Sequence, residues 1–330
     1  MTHCARLAVI NVLILIVVLL LALTGLELYL RLTVPSSSGG TIFEYTLESQ
    51  RYKVMRANAR VWTWGSELRT NTLGFRDKEE TISPKQEGEY RVVVLGDSFT
   101  VSAGVDFDSI YTTLVEEKLR SGFPKVKVIN LAVAGYNIVQ YAMVLQEVGQ
   151  RLVPDEVLIS LFPYNDFDIE VYEDNKRVAS GGATVVGTNW YDKLFVYRAY
   201  LSGPVERVRR LFVMNHKLFV EKVEEGRKTN VAALRQIVDL CKKKRIAVAI
   251  VLLPDTSSFE LQRPLFKEIE SYCSELGVPC LNLLDSFMAT EIKESSFRLN
   301  PMDSHPNQKY NRLVAASIAP YLLGVLSASK

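Results

Sequence analysis

Residues 91–100 read Arg-Val-Val-Val-Leu-Gly-Asp-Ser-Phe-Thr, and the reading of this stretch decides the fold class. Val92 to Leu95 form a short β-branched apolar run, the pattern of a strand buried on both faces in a parallel sheet. Gly96 lets the backbone turn sharply, so that Asp97 and Ser98 arrive where the next helix begins, with a hydroxyl pointing out of the sheet. In open α/β sheets ligands bind outside the carboxyl ends of the strands, which makes Ser98 a well-placed nucleophile. Gly-Asp-Ser also makes an ordinary turn followed by a helix N-cap, and these three residues alone do not separate the two readings.

Downstream, the chain alternates. Residues 109–120 place Ile110, Leu114 and Leu119 on a helical stripe that ends at Ser121-Gly122. Residues 127–132 read as a second strand, 156–162 as a third, 246–253 as a fourth and 279–284 as a fifth. Helical stretches lie between them, from Asn137 through Val148, from Val231 to Lys244 and from Pro264 to Leu276, and a last helix is expected over Lys309 to Leu323. Strands and helices alternating at this spacing predict an α/β fold with a parallel sheet covered on both faces. The pattern lapses over 167–226, which reads as an insertion: a lid or substrate wall, or a surface excursion.

With 330 residues and 48% hydrophobic content, the chain is long enough for one large core. Its 39 basic and 37 acidic residues give a formal net charge of +2 without a long basic run, so no nucleic-acid partner is expected. Leu7 to Leu26 contains no charged residue and, at ~1.5 Å per residue, reaches ~30 Å, the hydrocarbon thickness of a bilayer. No small-residue cleavage site precedes Arg31, so a retained signal anchor is expected, attaching the protein to the membrane by a single pass. Arg6 before the span and Glu27 with Arg31 after it are too balanced for charge to set the orientation. The expected organisation is an anchor over 1–32, a linker over 33–46 that includes the Ser- and Gly-rich 36–40, and a folded domain over 47–330.

Trp62 and Trp64 sit among short extended pieces before the first strand and are read as packing residues or as part of a site wall. Cys273 and Cys280 fall in apolar helix and strand patterns where free buried thiols are the rule, and the cysteine spacing fits no zinc pattern. No metal is expected. Oligomeric state is not legible.

Three further polar groups stand at strand ends or before a helix, as Ser98 does. Gly135 follows the second strand, Asn165 and Asp166 follow the third, and Asp303-Ser-His-Pro-Asn precedes the last helix. A serine nucleophile needs a base for its proton and donors for the developing oxyanion, and these positions could supply both in one cleft.

On these residues the chain resembles the SGNH hydrolases, the GDSL esterase/lipase superfamily. Gly96-Asp97-Ser98-Phe99-Thr100 is similar to the nucleophile block, Gly135 to the glycine block, Asn165-Asp166 to the asparagine block and Asp303-Ser304-His305-Pro306 to the histidine block, in the family's order, over Tyr90 to Leu323. The resemblance implies a flavodoxin-like three-layer α/β/α fold with a five-stranded parallel sheet. It implies Ser98 as nucleophile, His305 as general base oriented by Asp303, and an oxyanion hole made by the backbone N–H groups of Ser98 and Gly135 with the side-chain amide of Asn165. No cofactor is implied. Asp97 and Asp166 are expected to be structural hydrogen-bonders, and His216 a surface residue.

Two features depart from the family pattern: Pro163 stands where the asparagine block usually opens with Gly, and a single residue separates Asp303 from His305. The expected function is that of a membrane-anchored serine esterase acting on O-acyl, foremost O-acetyl, esters of an extracytoplasmic envelope glycan. The alternatives are an O-acyltransferase using the same residues, a lipid esterase or thioesterase, and a catalytically silent module that binds a glycan or a protein.

Overall fold

The computed structural model describes residues 3–33, 42–79, 84–181, 194, 216–256, 259–301 and 303–328. Helix α1 (His3–Thr33) carries the apolar run; Val9–Thr33 is long and apolar enough to cross a membrane, with a mean hydropathy of 3.0 over an 18-residue window. Two antiparallel hairpins follow, β1 (Phe43–Tyr45) with β2 (Lys53–Met55), and β3 (Arg60–Thr63) with β4 (Ser66–Arg69). Trp64 and Gly65, both at positive φ, form the two-residue loop of the second hairpin, so Trp64 serves the turn. Trp62, on β3, is exposed.

The central sheet consists of β5 (Tyr90–Leu95), β6 (Val126–Asn130), β7 (Glu156–Leu161), β8 (Ala247–Leu252) and β9 (Cys280–Asn282), all parallel, in the order β6-β5-β7-β8-β9. This is the flavodoxin-like order, with the chain reversing direction across the sheet at β5. Val92 to Leu95 and every residue of β7 are buried, as continuous apolar runs in a doubly covered sheet require.

Short α2 (Ser98–Val101) leaves β5, and α3 (Tyr111–Arg120) leads to β6. Helix α4 (Ile138–Glu147) leads to β7; α5 (Pro163–Asp166) and α6 (Glu170–Ala179) follow it. Helix α7 (His216–Lys244) leads to β8, α8 (Arg263–Leu276) to β9, and α9 (Leu284–Met288) follows. A bulged hairpin, β10 (Arg298–Asn300) with β11 (Asp303–Pro306), precedes the C-terminal α10 (Gln308–Ala328). Helix α3 packs with α10, and α4 packs with α7, which also meets α8, giving the two outer layers.

The expected boundaries shift in three places. Ile42 is buried and β1 pairs with β2, so the folded part includes residues of the stretch expected to be a linker to 46. Residues 34–41 of that linker lie outside the described residues, as do 182–193 and 195–215 of the expected insertion. Within the insertion, α6 and the first turns of α7 are helical, and α7 begins at His216 rather than near Val231. A side chain at Gly226 of α7 would press on the Phe167 carbonyl, so the insertion's two ends lie against each other. Cys273 and Cys280 are free thiols.

One cation inside the fold shapes the loop after α2. Arg76 is fully buried, and its guanidinium donates to the carbonyls of Val101 and Ser102 at 2.7 Å each and of Val105 at 2.5 Å. Burial lowers its pKa to about 10 against the pull of Asp106, so it remains a cation at neutral pH. Arg76→Met keeps the stem and removes the donors. Unpaired buried carbonyls cost ~1–3 kcal/mol each, so the variant is expected to lose ~3 kcal/mol of unfolding free energy. A urea midpoint unchanged at constant slope would reject this role.

Candidate active site

The carboxyl edge of the sheet gathers the predicted residues. After β5, the buried carboxylate of Asp97 caps α2 by accepting the N–H of Phe99 at 2.8 Å. Gly96 has no room for a side chain, because a Cβ there would collide with the Thr100 hydroxyl. Ser98 is therefore the first residue of α2, where a backbone N–H has no intrahelical acceptor. Asp97 is the cap, as the turn-plus-cap reading has it, and the Ser98 Oγ lies 2.9 Å from His305 Nε2.

His305 and Asp303 both lie on β11. In a strand, residues i and i+2 face the same side, so a single intervening residue suits an acid and a base that must touch. Asp303 Oδ1 accepts from His305 Nδ1 at 2.5 Å and from the His305 backbone N–H at 3.0 Å. An ionised carboxylate can only accept, so the ring proton sits on Nδ1 and the Nε2 lone pair faces Ser98. The strand is itself held: Thr256 Oγ1 donates to the Ser304 carbonyl at 2.7 Å, and Asn307 Nδ2 to the carbonyls of Ser296 and Arg298. Burial pulls the imidazole pKa down, but the hydrogen bond and charge of Asp303, with the charges of Asp97 and Asp255, outweigh it and leave the pKa raised above 6.5.

Asn165 comes from the end of β7. Pro163 occupies the first turn of α5, where a missing N–H is harmless, and the turn carries Asn165 to Asp97, with Nδ2 2.9 Å from Asp97 Oδ2. The departure at Pro163 therefore leaves Asn165 in the site. Its amide nitrogen has a second hydrogen for a ligand. Phe99 and Phe162 stack with centroids 3.8 Å apart, locking the serine turn to the asparagine turn. Asp166 is buried and accepts from the Tyr141 hydroxyl at 2.7 Å and the Phe162 N–H at 2.6 Å, the structural part expected of it.

Gly135 sits in a reverse turn in which the Tyr136 N–H donates to the Val133 carbonyl at 3.2 Å, while the Val133 N–H donates to the Gly96 carbonyl at 3.1 Å. With φ of +74° at Gly135 and none positive at Ala134, this is a type II turn, whose third position favours glycine. The turn thus runs beside the nucleophile turn. Sequence reasoning missed one neighbour. Lys53 Nζ donates to the Ala134 carbonyl at 2.8 Å and lies against Gly135, although Lys53 stands in a hairpin far upstream, in a stretch with no distinguishing pattern. His216 opens α7, and its side chain lies outside the described residues.

No family model matches the chain, and no curated protein is similar to it. Among solved structures, it is similar to the psychrotrophic esterase EstA from Pseudoalteromonas (13% identity, 72% of this chain and 100% of that one, TM-score 0.42). It is also similar to the acetyl-xylooligosaccharide esterase Axe2 from Geobacillus stearothermophilus (11%, 70% and 93%, TM-score 0.43). A third is LAE5, an alpha/beta hydrolase enzyme from the metagenome of Lake Arreo (15%, 70% and 94%, TM-score 0.44).

The His305–Asp303 contact has a direct spectroscopic consequence. In ring-labelled protein, with His305→Gln used to assign the signal, His305 is expected to titrate above 6.5 and to fall when Asp303 is replaced by Asn, because the hydrogen bond and charge that raise it are then lost. An unmoved titration in Asp303→Asn would show that the carboxylate does not govern the ring.

Proposed function

We propose that the protein is a membrane-anchored serine hydrolase of the SGNH type, cleaving O-acyl esters, foremost O-acetyl esters, of an envelope glycan. The observation that carries this reading is the unbroken relay from Ser98 Oγ to His305 Nε2 at 2.9 Å and from His305 Nδ1 to Asp303 at 2.5 Å. Ser98 Oγ attacks the ester carbonyl while His305 Nε2 takes its proton, and Asp303 stabilises the imidazolium. The N–H groups of Ser98 and Gly135 and the free hydrogen of Asn165 Nδ2 receive the oxyanion. His305 returns the proton to the leaving alcohol, the C–O bond breaks, and the acyl group stays on Ser98. Water, deprotonated by the same imidazole, attacks the acyl carbon, and the imidazolium gives that proton to Ser98 Oγ as its bond to the acyl group breaks and the acid leaves. No cofactor enters these steps.

The anchor would hold the site near an envelope surface, which is what favours a glycan ester over a soluble one. The chain is expected to keep residues 7–26 when mature and to expose its C-terminus outside the cytoplasm. A C-terminal alkaline phosphatase fusion that is inactive would overturn the orientation, and a mature N-terminus beyond Gly25 would overturn the retained anchor.

Incubation with a fluorophosphonate probe, followed by peptide mapping, is the primary test. Labelling at Ser98 that vanishes in Ser98→Ala and His305→Ala is the expected result; an unlabelled wild-type chain refutes the enzyme reading and leaves a silent binding module. Asn165→Ala is expected to fold and to lower turnover of an acetyl ester by ~10²–10³, the loss typical of one oxyanion donor. Asp303→Asn is expected to lower turnover by ~10⁴ by favouring the wrong tautomer. Near-normal turnover in Asp303→Asn would reduce the relay to a Ser98–His305 dyad.

A further inference from the structure

The β1–β2 hairpin lies upstream of the residues that resemble the hydrolases, yet it is fastened to the glycine turn. Arg51 Nε and Ser49 Oγ each lie 2.9 Å from Glu147 Oε2 at the end of α4, and Gln140 Nε2 donates to the Arg51 carbonyl at 2.8 Å. The Tyr136 hydroxyl donates to the Lys53 carbonyl itself. These bonds present one side chain to the turn: the Lys53 ammonium sits 4.1 Å from the Phe43 ring centroid and 2.8 Å from the Ala134 oxygen.

A peptide unit is planar and trans, so its carbonyl and its N–H point in opposite directions. The unit joining Ala134 and Gly135 is the central peptide of the type II turn, and in that turn the central carbonyl stands where the next residue's side chain would be. The contacts agree: a Cβ on Gly135 would lie 3.2 Å from Lys53 Nζ. Lys53 thus grips the oxygen from the side that glycine leaves open, and the Gly135 N–H faces away from it. A charged donor on the oxygen also polarises the amide and strengthens its N–H as a donor.

We propose that Lys53 is a positioning residue for the oxyanion hole, clamping the Ala134–Gly135 peptide so that the Gly135 N–H is aimed and polarised toward the developing oxyanion. This deepens the hydrolase reading and rests on it, because it assumes that Gly135 receives the oxyanion.

The surroundings make the charge titratable in an accessible range. Burial lowers the Lys53 pKa from 10.5 to about 8. Around it stand the Phe43 ring, Tyr45 across the strand pair and Tyr136, while Arg51 and Glu147 are bound to each other. On α6, which packs against the hairpin, Asp174 pairs with Arg177, Glu173 is exposed, and Tyr172 meets the Tyr52 ring. The ammonium is present below about pH 8 and lost above it, so turnover should fall on the alkaline side as Lys53 deprotonates and on the acid side as His305 protonates.

The test uses the full chain in detergent, with 4-nitrophenyl acetate turnover and the rate of fluorophosphonate labelling at Ser98 as readouts. Lys53→Met, a neutral side chain of similar length, is expected to keep its circular dichroism and melting temperature. It should lower kcat and the labelling rate ~10–100-fold with KM within about twofold, and it should lose the alkaline limb near pH 8. Lys53→Arg, which keeps both charge and donor, should restore most of kcat and show no such limb. A folded Lys53→Met with unchanged kcat and labelling, a change in KM alone, or an alkaline limb that persists would each overturn the role of Lys53 while wild-type labelling at Ser98 leaves the hydrolase reading standing. An unlabelled wild type would remove that reading and this role with it.

Discussion

The buried carboxylate of Asp97 is where the candidate site is tied to the sheet. One of its oxygens accepts the Phe99 N–H and so starts α2; the other accepts the Asn165 amide and lies 3.3 Å from the Ser98 hydroxyl. Carboxylates in the interior are tolerated only when donors surround them, and here the donors come from two loops that leave adjacent parallel strands. Burial raises its pKa against the opposing pull of Asn165, the Phe99 N–H, His305 and Ser98. The spacing between β5 and β7 thereby sets the spacing between Ser98 and Asn165, and the stacked Phe99 and Phe162 rings stiffen the same junction.

Charge is distributed unevenly around this junction. On the base side, Asp303, Asp97 and Asp255 together hold the imidazole pKa up, which favours the imidazolium that would form as Ser98 attacks. Facing the glycine turn stands the Lys53 ammonium, shielded by Phe43 and the hairpin. In the proposed mechanism the ring gains a proton as Ser98 attacks, and the carboxylates that favour its cation are fixed in advance. The hairpin that holds Lys53 is fastened by polar bonds to α4, so a segment outside the α/β core contributes to the electrostatics of the core's open edge.

Much of this was legible in the chain itself. Continuous apolar strands such as Val92 to Leu95 are forced by a sheet covered on both faces, so their number and positions could be read directly, and polar residues that follow such strands necessarily gather at one edge. Ser98, Gly135, Asn165, Asp303 and His305 were identified on that logic together with the family resemblance, and all five are found at or beside that edge. The expected linker to 46 and the late start of α7 went astray because a three-residue edge strand and a polar amphipathic helix have little local signal, and tertiary packing decides them.

Local sequence thus determined the parallel sheet, the apolar N-terminal span and the candidate nucleophile, since each follows from burial patterns and backbone freedom within a few residues. Tertiary structure alone decided that the short Asp303–His305 spacing lets the two side chains touch, because the i, i+2 geometry requires that segment to pair as a strand with Arg298 to Asn300. It alone decided that Pro163 starts a helical turn and leaves Asn165 on Asp97. Lys53 is the clearest case: its 81-residue separation from Ala134 leaves no trace in spacing or periodicity, and only the packing of the first hairpin on the glycine turn brings the two groups to 2.8 Å.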